Sequence, residues 1–68
     1  MDEWFEVEVF TDNGLGRICT TTTEHGGIVW DTRRFLTKED AGRVAAEMFP
    51  GRSIRIYRVT KDGGEYPA

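Results

Sequence analysis

The chain has 68 residues, a net charge of −3, one cysteine (Cys19) and one histidine (His25). These two residues cannot form an internal disulfide or a Cys/His zinc cage. No apolar run approaches the roughly 20 residues that span a bilayer, and the acidic start Met1–Glu3 differs from the basic start of a signal peptide. Composition therefore predicts one small cytoplasmic globular domain at 1–68, with no membrane segment, metal or cofactor.

The first part of the chain predicts three strands. Residues 4–10 alternate strictly, with Trp4, Glu6, Glu8 and Phe10 on one face and Phe5, Val7 and Val9 on the other. Turn residues follow at 12–14, and the threonine-rich segment 17–23 predicts a second strand. A second turn at 24–27 leads into a third strand at 28–34.

One amphipathic helix is predicted to begin at Lys38. Thr37 is placed to cap its N-terminus with Asp40 as the capping-box partner, and Leu36 and Ala41 are placed for a hydrophobic staple. Pro50-Gly51 ends the helix. Its buried stripe is predicted to be Ala41, Val44, Ala45, Met48 and Phe49.

The last strand is predicted at 53–60, and the residues from about 61 onward are expected to form a loosely held tail. The early segment is acidic and the late strand is basic, which favours placing the first and last strands side by side. The predicted fold is therefore α+β, a four-stranded β-β-β-α-β sheet in the order 3-2-1-4 with the helix on one face. Its predicted core comprises Phe5, Val7, Val9, Ile18, Ile28, Val44, Ala45, Met48, Ile54 and Ile56.

One helix leaves the other sheet face open. On that face we predict a binding surface for an unidentified protein partner, because aromatic residues and arginine carry much of the energy of protein interfaces. Its expected contact residues are Trp4, Phe10, Arg55 and Tyr57. Two alternatives remain. In one, Tyr57 and the arginine stems shield the face while Glu6 and Glu8 pair with Arg55; in the other, the face forms a homodimer.

An arginine patch is the alternative site. Arg33, Arg34, Arg52 and Arg58 would together hold phosphates and bind nucleic acid, although the negative net charge disfavours this function. Cys19, His25 and Asp31 are of the residue types that form a catalytic triad, but no pattern fixes their geometry. The sequence therefore predicts a protein that is not an enzyme.

Two segments, Thr37-Lys38-Glu39-Asp40-Ala41 and Ile54-Arg55-Ile56-Tyr57-Arg58-Val59, resemble the short orphan accessory proteins of bacteriophages of high-GC hosts. The resemblance covers roughly the second half of the chain. It implies a non-enzymatic viral protein in the host cytoplasm that binds a host or viral macromolecule, in some cases as an inhibitor. The early acidic residues are then a candidate mimic of nucleic acid: Asp2, Glu3, Glu6, Glu8 and Asp12.

Overall fold

A computed structural model describes residues 2–68 and shows an α+β fold of two antiparallel sheets and one helix. The strands are β1 (Glu3–Thr11), β2 (Gly14–Arg17), β3 (Cys19–Glu24), β4 (Gly27–Thr32), β5 (Ile54–Thr60) and β6 (Glu65–Pro67), and the helix is α1 (Lys38–Met48). In the described residues, no helix is long and apolar enough to cross a membrane.

The larger sheet has the order β2-β1-β5-β6. Strands β1 and β5 pair antiparallel from Glu3↔Thr60 to Val9↔Ile54, which confirms that the first and last predicted strands are neighbours. Ion pairs from Arg58 to Glu3 (3.2 Å) and from Arg52 to Asp12 (2.8 Å) join the acidic and basic segments. The charge pattern therefore identified the correct strand pair.

The predicted second strand is two strands in different sheets. Residues 14–17 pair with β1, the backbone amide of Ile18 donates to the Val7 carbonyl (3.0 Å), and β3 then pairs only with β4. The predicted order 3-2-1-4 is therefore wrong in its outer strands. The physical reason is that Ile18 is buried at 3% exposure, which anchors the chain at β1 just before it leaves the sheet.

The β3–β4 hairpin projects from the edge of β1. His25 (φ 49°) and Gly26 (φ 79°) form its two-residue turn, and positive φ at both positions is the type I′ pattern. The chain returns where the Arg33 amide donates to the Ile18 carbonyl and Phe35 exchanges two hydrogen bonds with Phe5, all at 2.8 Å. The radius of gyration, 12.6 Å, exceeds the roughly 11 Å of a compact chain of this length, as expected for a projecting hairpin.

The main core lies between α1 and the larger sheet. Two small helix residues, Ala41 and Ala45, are fully buried against it, so that the helix approaches the strands closely. The core cluster consists of Val7, Val9, Ile18, Phe35, Ala41 and Ala45, with Phe5, Val44, Phe49, Ile54 and Ile56 partly buried around it.

Two predicted core residues are exposed instead. Ile28 is 69% exposed because β4 belongs to the projecting hairpin, and Met48 is 48% exposed at the last position of α1. Phe35 takes a core position that the sequence pattern did not assign to it.

The predicted helix start is confirmed. Thr37 is the N-cap, and its hydroxyl accepts a hydrogen bond from the backbone amide of Asp40 (3.1 Å). Leu36, however, is 69% exposed, so the expected hydrophobic staple with the buried Ala41 leaves most of the Leu36 side chain in solvent.

The C-terminal segment contains a strand where the sequence predicted only a tail. Residues 65–67 form β6, which pairs with Tyr57, Arg58 and Val59 of β5. The amide of Ala68 then donates to the Ile56 carbonyl (2.9 Å). The segment after the Lys61 turn therefore closes part of the β5 edge.

Candidate protein-interaction surfaces

The predicted binding residues do share one side of the larger sheet. Glu6 lies opposite Tyr57 and Glu8 opposite Arg55, as the alternation requires. We call this side, which faces away from α1, the open face. The residues of the open face differ in their exposure to solvent.

Trp4 is not exposed on the open face. It is 8% exposed, the guanidinium of Arg34 lies 4.0 Å from its ring centroid, and its indole N–H donates to Glu6 Oε2 (2.8 Å). Arg34 reaches the ring because the chain returns from the hairpin to the edge of β1 at Phe5. The expectation that Trp4 lies open to a partner is therefore wrong.

Arg17 shields the centre of the open face. Its guanidinium contacts Glu6 (2.6 Å) and Glu65 (2.7 Å) and lies 4.6 Å from the centroid of the Tyr57 ring. Burial lowers the pKa of Arg17, but hydrogen bonds and charge interactions with Glu65 and Glu6 outweigh this effect and raise it. Tyr57 is half-buried, and its hydroxyl donates to Glu8 (3.4 Å). The self-shielding alternative thus describes this part of the face, with Arg17 rather than Arg55 as the covering residue.

One corner of the open face stays accessible. Phe10 is 38% exposed and lies directly opposite Leu15, which is 58% exposed. The Arg55 guanidinium lies 5.6 Å from the Phe10 ring centroid. Two of the four predicted partner-binding residues, Phe10 and Arg55, therefore remain available for contact.

A second apolar surface lies on the hairpin. Ile28 (69% exposed) and Trp30 (70% exposed) are two residues apart on β4, so they share one face. Their partners across the hairpin are Thr23 and Thr21. We call the side formed by Thr21, Thr23, Ile28 and Trp30 the Trp30 face.

The opposite side of the hairpin borders the body of the protein. Thr20, Asp31 and Thr32 line a cleft of about 540 Å³ together with Glu6 of the open face and with Arg34. Ile28 and Trp30 do not line this cleft and are both about 70% exposed, so the Trp30 face is turned toward solvent.

Sequence reasoning missed the Trp30 face because it placed Ile28 in the core. A signal was nevertheless present. β3 contains four consecutive threonines and no large apolar residue, so it cannot supply its share of a hydrophobic layer. A hairpin with one such strand is better suited to a solvated position than to the centre of a sheet.

The structure does not gather the four arginines of the predicted nucleic-acid site. Arg33 and Arg34 stack on different rings, Phe35 and Trp4. Arg52 and Arg58 are ion-paired near opposite ends of β5, roughly 20 Å apart along the strand direction.

The three candidate catalytic residues are not brought together, because His25 lies far from Cys19 and from Asp31, which is opposite Thr20 at the base of the hairpin. Cys19 begins β3 at the base of the hairpin, whereas His25 is in the turn at its tip, so roughly 20 Å of strand separates them. Cys19 is exposed, and its thiol donates to the Arg17 carbonyl (3.3 Å). Within residues 2–68, no group of three potential ligand side chains is placed to hold a metal ion.

Comparison with family models, curated proteins and solved structures finds no match. The geometry of the surfaces therefore carries the functional argument. The resemblance to phage accessory proteins stays a prediction.

Proposed function

We propose that the chain is a non-enzymatic protein-interaction module that binds its partner through the Trp30 face of the β3–β4 hairpin. The observation that supports this proposal most directly is that Ile28 and Trp30 lie side by side, 69% and 70% exposed, on a hairpin that projects from the sheet. Exposed apolar clusters on small domains often mark contact sites, and tryptophan is enriched among the residues that dominate binding energy.

The charge of the hairpin narrows the class of partner. Residues 18–32 contain Glu24 and Asp31 and no lysine or arginine. A polyanion such as nucleic acid would be repelled by this element. By strand alternation both acids lie on the side of the hairpin opposite the Trp30 face. The complementary partner of the Trp30 face itself is therefore a protein with an apolar pocket for the Trp30 indole.

The accessible corner of the open face supports a second contact with the same protein. Phe10 and Leu15 form an exposed cross-strand pair, and Arg55 lies over the Phe10 ring. Arg55 carries the opposite charge to the hairpin acids, so this corner suits an acidic or aromatic group on the partner. We expect it to add less energy than the Trp30 face because its aromatic ring is the less exposed of the two.

Affinity capture from a native host lysate tests the assignment, with the chain immobilised and nuclease-treated and untreated samples compared. Trp30→Ala removes the exposed indole, and Leu36→Ala is the matched control because Leu36 is equally exposed on the body of the fold. We expect a nuclease-resistant protein that is lost with Trp30→Ala and retained with Leu36→Ala.

Two outcomes contradict the proposal. One is equal retention of the captured protein by the Trp30→Ala variant and the native chain. The other is recovery of nuclease-sensitive material alone, released by moderate salt, which would support the nucleic-acid alternative. Circular dichroism of each variant establishes that the fold is unchanged.

The biological setting is proposed from the sequence. The resemblance to phage accessory proteins supports a phage-encoded protein that acts in the host cytoplasm, where it binds and inhibits a host or viral protein. The capture experiment tests this setting as well, since it identifies the retained protein.

A further inference from the structure

We propose that two copies of the chain pair along the free edge of β3, in antiparallel orientation, and form one four-stranded sheet in the order β4-β3-β3′-β4′. This inference goes beyond the proposed function and rests on the backbone of the hairpin rather than on the Trp30 face. The occupant of the edge is a second copy of this chain.

The hydrogen-bond alternation of the hairpin shows which groups the edge presents. The amide of Arg33 donates to the carbonyl of Ile18, so these residues form a hydrogen-bonded pair. Because such pairs alternate along an antiparallel ladder, Thr20 and Thr22 bond to β4. The N–H and C=O groups of Cys19, Thr21 and Thr23 therefore point outward from the free edge of β3.

The edge lacks the features that usually prevent strand pairing. From Cys19 to Thr23 it contains no charge and no proline, and every residue of β3 is exposed. The other outer strands are protected: β6 contains Glu65 and Pro67, β2 has only four residues, and β4 carries Asp31 within the strand, whereas the one charge of β3, Glu24, is its last residue beside the turn. An unprotected, exposed edge is a template for another strand.

The side chains of β3 favour a second copy as that strand. Four of the five edge residues are threonine, so antiparallel pairing about a two-fold axis places threonine opposite threonine on both sides of the sheet. Threonine pairs across strands are favourable, and an uncharged edge does not repel its own copy.

The outward groups also select the register. With Thr21 opposite Thr21′ on the two-fold axis, Cys19 faces Thr23′, and all three outward residues form hydrogen-bonded pairs, which gives about six bonds. A shift by one residue in each chain, with Thr22 on the axis, leaves Cys19 without a partner in the opposing strand. The central register therefore satisfies the largest number of edge groups.

Pairing also completes the hairpin. A two-stranded hairpin alone is marginally stable in water, and β3 and β4 make their main contacts with each other. In the dimer both Trp30 side chains lie on the same side of the four-stranded sheet, roughly 14 Å apart. The Trp30 face stays open, so the dimer presents two partner-binding sites.

Sedimentation analysis of two variants that introduce opposite charges at Thr21 tests the position of the two-fold axis. We expect the native chain to form a dimer of twice the 7.8 kDa chain mass. Thr21→Lys and Thr21→Glu each place like charges on two residues whose Cα atoms are about 5.5 Å apart across the axis, and each should raise the dimer Kd about 10-fold or more. An equimolar mixture of the two variants should restore a dimer.

Ile28→Lys is the control, because it places a charge on the same side of the sheet but one strand away from the seam. This variant should remain dimeric while losing the protein partner, so failure of the dimer and failure of the proposed function are distinguishable. A native chain that stays monomeric at ~1 mM overturns the dimer. A Thr21→Lys variant that dimerises like the native chain overturns the β3 seam.

Disulfide trapping then tests the register in a Cys19→Ser background. Thr20 and Thr22′ form a non-hydrogen-bonded pair in the central register, with Cα atoms about 4.5 Å apart, within the range of a disulfide. A mixture of Thr20→Cys and Thr22→Cys chains should give the mixed disulfide dimer on oxidation. Preferential cross-linking of Thr22→Cys chains to each other would overturn the central register.

Discussion

Removal of the hairpin should leave a folded protein. The perturbation replaces Cys19–Thr32 by Asn-Gly and thus joins Ile18 to Arg33 through a two-residue turn. These two residues are already hydrogen-bonded (2.8 Å), and a hydrogen-bonded pair flanked by Asn-Gly is the preferred closure of a tight hairpin. The shortened chain therefore keeps the backbone path on both sides of the cut.

The structure predicts the size of the effect on stability. All residues of the apolar core lie outside 19–32, so the deletion removes no core side chain and only one half-buried apolar side chain, Val29. Shortening the loop from about 14 residues to 2 lowers the closure entropy cost by roughly 1.7 kcal/mol. The hairpin's own folding contributes little. We expect the free energy of unfolding to be unchanged or up to about 1.7 kcal/mol higher.

Urea denaturation followed by circular dichroism measures this free energy, and the slope of the transition reports the cooperativity of unfolding. The shortened chain should unfold in one cooperative transition and should fail to bind the partner or to dimerise. A loss of more than about 2 kcal/mol, or a non-cooperative transition, would refute the view that the body of the protein folds without the hairpin.

Four substitutions test the account of the body. Val7→Ala shortens the largest fully buried side chain and should lower the free energy of unfolding, measured by urea denaturation, by about 2 to 3 kcal/mol. A loss below about 1 kcal/mol would contradict the core position of Val7. Thr37→Ala removes the cap hydroxyl and should lower the free energy of unfolding by about 1 kcal/mol. An unchanged free energy would show that this hydroxyl does not stabilise the helix. Gly42→Ala should raise stability by about 0.5 to 1 kcal/mol, because the added methyl meets the nearest side-chain atom at an ordinary 3.7 Å; destabilisation would show that the helix is packed too closely. Arg52 lowers the pKa of Asp12 from 3.8, so this pair stabilises the fold above that pH and the stabilisation is lost as the pH falls through the folded pKa. Arg52→Gln should therefore lower the urea midpoint at neutral pH, and this loss should shrink as the pH falls below 3.8, whereas a loss that does not change with pH would exclude the ion pair as the cause.

The sequence was sufficient where the determining contacts are local or repeat along a strand. Thr37 and the turn residues after Phe49 mark the two ends of the helix, and the alternation of β1 and β5 sets which side chains face α1. Charge complementarity then paired these two strands correctly. These features need only the backbone periods of helices and strands together with capping chemistry.

The sequence was insufficient where two distant segments compete for one strand edge. Both Ile18 and Phe35 bond to β1, and between them the chain leaves the sheet. Alternation in β4 shows which side chains share a face, but it cannot show whether that face meets a core. Ile28 was therefore misplaced, and the exposed position of Trp30 was not anticipated.

The exposure of the four predicted contact residues was predicted correctly for two of them, for a similar reason. Phe10 and Arg55 are accessible as expected, because their exposure depends on their strand positions. Trp4 and Tyr57 are covered by arginines from other segments, Arg34 and Arg17. Such cation–π contacts depend on tertiary packing, which periodicity does not encode.

Acrylamide quenching of single-tryptophan variants tests most directly whether the hairpin, rather than the open face, carries the exposed aromatic residue. The Trp4→Phe chain reports Trp30, which is 70% exposed, and the Trp30→Phe chain reports Trp4, which is 8% exposed. We predict strong quenching and red-shifted emission for Trp30, and weak quenching with blue-shifted emission for Trp4. Equal quenching of the two residues, or stronger quenching of Trp4, would contradict the account and return the candidate site to the open face.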